Sequence, residues 1–352
     1  MWDVIQAVVR YVVLQTDVFG FVSGYSQYTP ANSAKHFEFV ETSLETVAVY
    51  NYYGTNATRR AFLYVVDPTR NDVCHQCEVV LLYISGGGFV ESGAQNVPYS
   101  LMTYSRALQV PIVSVKYPLN NGAELSVQEV HEALDTAVSF TRGLFPTARF
   151  LLVGSSSGAA LAIGAVMRRP EAYAALWLES PLTCVDSLAE DILSDETSCL
   201  YDSNRVSDPD FPYTSYRGEG LCFDNRTAFP LPTIVTYSKR DRIIPIAQPE
   251  RLIGTPNVTV CSDRFSIHGA TPSLSGGCLS EVDGWMEDNS GLVMDRNAVS
   301  TNFLLTEPIL IKQYMSSFLW KKTFCRQVCQ SQTRNPILFH AYECALDNDV
   351  FT

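Results

Sequence analysis

Three consecutive serines, Ser155, Ser156 and Ser157, lie in the stretch RFLLVGSSSGAALAIGAV at residues 149–166. A serine hydroxyl is a weak nucleophile until a neighbouring base takes its proton and an acid orients that base. Spacing separates the three. Only Ser156 has a glycine two residues before it, Gly154, and two after it, Gly158. This is the G-x-S-x-G pattern of a serine on a sharp strand-to-helix turn, where side chains at the flanking positions would collide with the strand or the helix. A polar helix start is the plainer reading of the same serines.

The partners follow from chain order. On a strand–serine–helix turn of this kind the order is serine, acid, histidine. The five histidines are at 36, 75, 131, 268 and 340, and only His268 and His340 follow Ser156. His268, in CSDRFSIHGA, comes just after an expected strand and is the stronger candidate. His340 lies in the tail, beyond an expected closing helix. His131 reads as a residue on an amphipathic helix. The acid is expected after the preceding strand, where PTIVTYSKRDRIIP offers Asp241. A surface charge among Lys239, Arg240 and Arg242 is its bland alternative, and Asp263 is the second candidate acid. Gly86, Gly87 and Gly88 follow the apolar run EVVLLYIS directly. Their backbone N–H groups, with that of Ser157, suit an oxyanion that develops beside Ser156.

These residues need elements to hold them. TVAVYNYY, AFLYVVDP and EVVLLYISG read as strands at the antiparallel start of a sheet. From residue 96 the pattern alternates: helix 96–109, strand 111–118, helix 126–145, strand 149–154, helix 157–169, strand 173–180. Such alternation specifies a parallel sheet with crossover helices. Ser126 and Glu129 form a capping box for the long helix. Strands at 232–238 and 257–262 flank a helix near 246–253, and 306–324 is the closing helix. Residues 1–45 read as helix plus loop. The Asp-, Ser- and Pro-rich segment 182–231 reads as an insertion over the C-terminal strand ends, and 270–305 as a second irregular stretch.

The chain has 352 residues, 46% of them hydrophobic and 18% charged, which specifies a large globular core. Its net charge of −12 argues against nucleic acid and anionic membranes as partners. No run of eighteen apolar residues occurs, so no membrane span is expected. Ten cysteines and sequons at Asn56, Asn225 and Asn257 point to a secreted glycoprotein or one held in a secretory lumen. The N-terminal stretch MWDVIQAVVRYVVLQTDVFGFV does not read as a signal peptide, because Asp3, Arg10 and Asp17 interrupt it. Cys261 and Cys278 flank the His268 segment, and a bridge between them would pin the base. Cys74 and Cys77 read as disulfide cysteines. Cys325, Cys329, His340 and Cys344 have near-zinc spacing, with disulfides the favoured alternative.

At these residues the chain resembles the hormone-sensitive-lipase-like branch of the α/β-hydrolase carboxylesterases. The resemblance is carried by SGGGF (85–89), VSVKYPLNNGAELSVQEVHEAL (113–134), GSSSGAALA (154–162), LESPL (178–182), YSKRDRIIP (237–245) and SIHGA (266–270). It implies a mostly parallel sheet with helices on both faces. It also implies a cap from residues 1–45 and from the insertion 182–231, within a catalytic domain spanning 46–324 and followed by a tail at 325–352. By this resemblance Ser156 is the nucleophile, Asp241 the acid and His268 the base, with Gly86, Gly87 and Ser157 as the oxyanion hole. The chain departs from the family in having Ser85 where a His is usual, Ser155 where an Asp is usual, and Ala159 for a Gly.

The expected function is hydrolysis of uncharged, fairly apolar, short- to medium-chain esters through an acyl-enzyme, without cofactor or metal. An amidase or peptidase using the same triad is the alternative within enzymes. A catalytically silent binding or receptor domain is the alternative outside them.

Overall fold

Strands such as VVLLYI (Val79–Ile84) and ALWLE (Ala175–Glu179) are buried on both faces. Runs of this kind need helices above and below the sheet. The computed structural model describes residues 38–41, 46–53, 61–67, 77–89, 97–119, 125–194, 216–239, 241, 243–263, 268, 277–296 and 299. All fall within the compact unit Met1–Leu305.

Nine strands form one sheet: β1 (Glu38–Glu41), β2 (Thr46–Tyr53), β3 (Ala61–Asp67), β4 (Val79–Ile84), β5 (Ile112–Lys116), β6 (Arg149–Ser155), β7 (Ala175–Glu179), β8 (Thr233–Ser238) and β9 (Val258–Asp263). Their order is β1-β2-β3-β5-β4-β6-β7-β8-β9. The pairs among β1, β2, β3 and β5 are antiparallel, and every pair from β5 to β9 is parallel. An antiparallel start and a parallel body match the sequence expectation, but β4, read with the antiparallel strands, lies inside the parallel part, and β3 pairs instead with β5. β1 does not: it lies in the region read as helix plus loop.

Six helices were found among the described residues: α1 (Tyr99–Leu108), α2 (Val127–Leu144), α3 (Ser157–Arg168), α4 (Val185–Ser194), α5 (Ala247–Glu250) and α6 (Leu279–Ser290). On α2 the capping box forms as expected, with the Glu129 amide donating to the Ser126 hydroxyl and the Ser126 amide to the Glu129 carboxylate. α5 is shorter than expected. α4 and α6 correct two stretches read as irregular. In α6, Val282, Trp285 and Met286 pack with α1 against the sheet face that carries Leu81, Val153 and Trp177. Gly284 and five acidic or amide residues obscure that apolar spacing. The closing helix 306–324, the tail cysteines, Cys74 and most of residues 1–45 lie outside the described residues.

α3 shows why small residues follow the serines. A side chain on Gly154 would meet the Ala162 Cβ at 2.7 Å and the Ala159 Cα at 2.8 Å. The Gly-Ala-Ala-Leu-Ala run lets the helix lie almost on the strand. The crossover thus fixes the start of α3, and with it Ser156, against the C-terminal end of β6.

Candidate active site

All the sequence-derived site residues that the structure describes lie at one edge of the parallel sheet, beyond the C-terminal ends of its strands. Gly86 and Gly87 follow β4, Ser156 follows β6, Asp241 follows β8 and His268 follows β9. Open α/β sheets bind ligands at this edge.

Ser156 is the turn between β6 and α3. Its backbone sits at φ 53°, ψ −125°, a region that side chains other than glycine rarely adopt. Three backbone hydrogen bonds hold it there, one of them from the Ala159 amide to the Ser156 carbonyl at 3.0 Å. The Ser156 amide donates to the Glu179 carbonyl at 3.0 Å, and the Leu182 amide donates to the Ser156 carbonyl at 3.0 Å. The flanking glycines have the steric role the motif requires. A Cβ on Gly158 would run into the carbonyl oxygens of Ile84 and Ser85. Ser155, in place of an aspartate, is buried at the last position of β6, opposite Glu179 in register.

The glycine loop comes equally close. A Cβ on Gly86 would lie 2.7 Å from the Ser156 Cβ and 3.4 Å from its Oγ. Gly87 and Gly88 adopt positive φ, 121° and 61°, so glycine is needed for the turn as well as for space. Ser85, in place of a histidine, is fully buried, and its carbonyl accepts the Tyr117 hydroxyl at 3.2 Å. Phe89, also at positive φ, packs edge-on against Tyr216 at 4.9 Å between ring centroids. These contacts brace the loop from both ends.

Asp241 and His268 meet across 27 residues of chain. His268 Nδ1 is 2.7 Å from Asp241 Oδ2. The other carboxylate oxygen, Oδ1, accepts the amides of Ile243 and Ile244, both at 2.9 Å. Asp241 is buried, so it is an anchored acid and not a surface charge among the basic residues around it. With Nδ1 committed to Asp241, Nε2 is the ring nitrogen left to exchange a proton. Burial works to lower the His268 pKa. The charge and hydrogen bond of Asp241, and the charge of Glu179 after them, outweigh it, so the net shift is upward. No hydrogen bond joins His268 to Ser156 among the described residues; such bonds are often long in free enzymes and shorten once substrate is bound. The second candidate acid, Asp263, pairs in register with Ser238 at the end of β9 and makes no described bond to His268.

Two disulfides hold the rim. Cys261, on β9, is bridged to Cys278, the residue before α6, closing the segment that carries His268. Cys184 is bridged to Cys222, joining the chain just beyond β7 to the end of the insertion. Cys77 is disulfide-bonded as well. Among the described residues no cluster of histidine, cysteine or carboxylate side chains is arranged to hold a metal ion. No helix among them is long and apolar enough to cross a membrane.

Glu179 is the residue that sequence reasoning passed over. It is buried at the last position of β7, opposite Ser155 in register. An acidic residue ending the apolar strand YAALWLE was its available signal.

The architecture and the placement of the site define the α/β-hydrolase fold. No family model matches the sequence, and no curated protein does. Among solved structures, a fungal esterase from Rhizomucor miehei superposes with TM-score 0.50 at 16% identity, over 77% of this chain and 96% of its own. A bacterial heroin esterase gives TM-score 0.49 at 17% identity, over 85% and 91% of the two chains. A carboxyl esterase from the mycorrhizal fungus Tuber melanosporum gives 0.49 at 14%, over 83% and 98%.

Proposed function

We propose that this chain is a serine hydrolase that cleaves carboxylic esters through an acyl-enzyme. Fold alone does not fix a reaction. The observation that carries the reading is the pairing of buried Asp241 with half-buried His268, on the same sheet edge as a serine held in a strained turn. Backbone strain of about 1–3 kcal/mol persists only where the surroundings enforce it, and it gathers at reacting groups.

In this reading His268 Nε2 takes the Ser156 Oγ proton as Oγ attacks the ester carbonyl carbon. The carbonyl oxygen, now anionic, is held by amides of the Gly86–Gly87 loop and by the Ser157 amide. The tetrahedral intermediate collapses, the bond to the alcohol oxygen breaks, and His268 returns its proton to that oxygen. Water, deprotonated by His268, then attacks the acyl carbonyl and releases the acid and Ser156. Asp241 holds the imidazole in the required tautomer and stabilises its cation.

The substrate class we propose is an uncharged, fairly apolar ester of short or medium acyl length. Phe89 and Tyr216, packed together and fully buried at the end of the glycine loop, make the layer behind that loop apolar. The disulfides support an oxidising compartment, consistent with a secreted protein. The test is turnover of a series of p-nitrophenyl esters, C2 to C12, beside the matching anilides. Ester turnover with a pre-steady-state burst, lost in Ser156→Ala, supports the reading. Equal turnover by Ser156→Ala refutes it, and turnover confined to anilides makes the protein an amidase.

A further inference from the structure

The triad leaves two buried carboxylates at the strand ends without a part in the chemistry, Asp263 at the end of β9 and Glu179 at the end of β7. Glu179 is 1% exposed and ends β7. The sheet face it belongs to is apolar along β6 and β7, through Leu151, Val153, Ala175 and Trp177. It turns polar only at the C-terminal rim, where Glu179 lies in register with Ser155 on β6 and with Thr236 on β8. The Ser100 hydroxyl, on α1, donates to its Oε1 at 3.4 Å. Burying a carboxylate costs several kcal/mol unless other groups compensate, so a purely structural site would be served better by an apolar residue.

Its backbone is tied to the nucleophile. The turn Glu179–Leu182 grips Ser156 on both sides, by its amide and by its carbonyl. The residue after Glu179, Ser180, is buried at a positive φ of 44°. The clasp holds the strand end in this shape together with the Ser180 amide, which donates to the Thr236 carbonyl at 2.7 Å.

Resting on the serine-hydrolase reading, we propose that Glu179 is a positioning residue: its carboxylate is a second fixed negative charge, beside that of Asp241, that stabilises the cation formed on His268. The electrostatics of the rim agree. Glu179 adds to the upward shift of His268 after Asp241. The titratable groups about the rim among the described residues are Tyr83 from β4, the exposed Lys239 and buried Asp241 after β8, buried Asp263 at the end of β9 and His268 after it, with Tyr117 beside Tyr83. Burial, and then the charge of Glu179, push Tyr83 far up, so the phenol stays neutral at working pH. Asp241 fixes the tautomer by contact, and Glu179 adds its charge.

The experiment is the pH dependence of kcat/KM on a neutral ester for wild type, Glu179→Gln and Glu179→Asp, with Ser156→Ala as control. The base works as neutral imidazole, so removing a negative charge near it must lower the acid limb. For Glu179→Gln the expected shift is about one pH unit downward, with plateau kcat about tenfold lower and KM nearly unchanged. Glu179→Asp, which keeps the charge, should hold the acid limb close to wild type. If Glu179→Gln fails to fold, Glu179→Leu brings no unpaired polar group into the site and must move the limb in the same direction. An active neutral variant with the wild-type acid limb overturns the proposal while leaving the hydrolase reading intact. A wild type that cleaves no ester sinks both.

Discussion

The bridge between Cys261 and Cys278 closes a loop with a sequence separation of 17 around His268. Replacing both cysteines by alanine frees that loop in the unfolded chain. The chain-entropy relation gives a change near 10 cal/mol/K for a loop of this length, or about 3 kcal/mol at 25 °C. α6 should stay docked without the bridge, because Val282, Trp285 and Met286 anchor it in the core. The variant is therefore expected to fold, since about 3 kcal/mol is less than the stability of an ordinary domain. Urea unfolding should put the loss in global stability near that value. The same free energy, drawn entirely on ordering the base, bounds the fall in kcat/KM at about two hundredfold. Both quantities should be measured on the double variant, and again on wild type under mild reduction. A double variant within about 0.5 kcal/mol of wild type and with unchanged kcat/KM would refute the claim that the bridge holds the base.

Other expectations follow from the same geometry. Gly86→Ala has no φ penalty, but its methyl would lie 2.7 Å from the Ser156 Cβ. It should cost about 1–3 kcal/mol in stability and at least about a hundredfold in kcat, read by urea unfolding and steady-state kinetics. At position 156 glycine relieves a strain that alanine keeps. Ser156→Gly should be more stable than Ser156→Ala by about 1–3 kcal/mol, with both inactive, and equal melting temperatures would contradict the strained turn. The raised His268 pKa sets two pH trends. Activity should rise with pH through an acid limb above the ordinary histidine value of about 6.5. The stability that His268 gains from its partners is full below about pH 6.5 and fades as pH rises through the folded-state pKa. A His268→Gln variant should therefore lose most stability relative to wild type in mild acid.

Much of the site was legible because its signals are local. Gly154, Ser156 and Gly158 lie within five residues, and each glycine answers to a collision that any side chain would cause. Asp241 and His268 are distant in sequence, but each follows a short strand within a few residues, and only two histidines follow the serine. What the sequence concealed depends on tertiary partners. α6 is held by a few apolar residues among acids, so its periodicity is faint until the core of α1 and β7 is beside it. α4 lies in a segment whose Asp, Ser and Pro content resembles loop. The brace on Ser85 comes from Tyr117, just after β5 and 32 residues away in sequence. Glu179 reads as a strand terminus until its clasp on Ser156 is seen.

The most direct test of the central claim is intact-mass analysis after exposure to a serine-directed fluorophosphonate, followed by peptide mapping. The account predicts one adduct per chain, on Ser156, absent from Ser156→Ala and strongly slowed in His268→Ala. A well-folded wild-type protein that takes no adduct, or takes it on another residue, would contradict it.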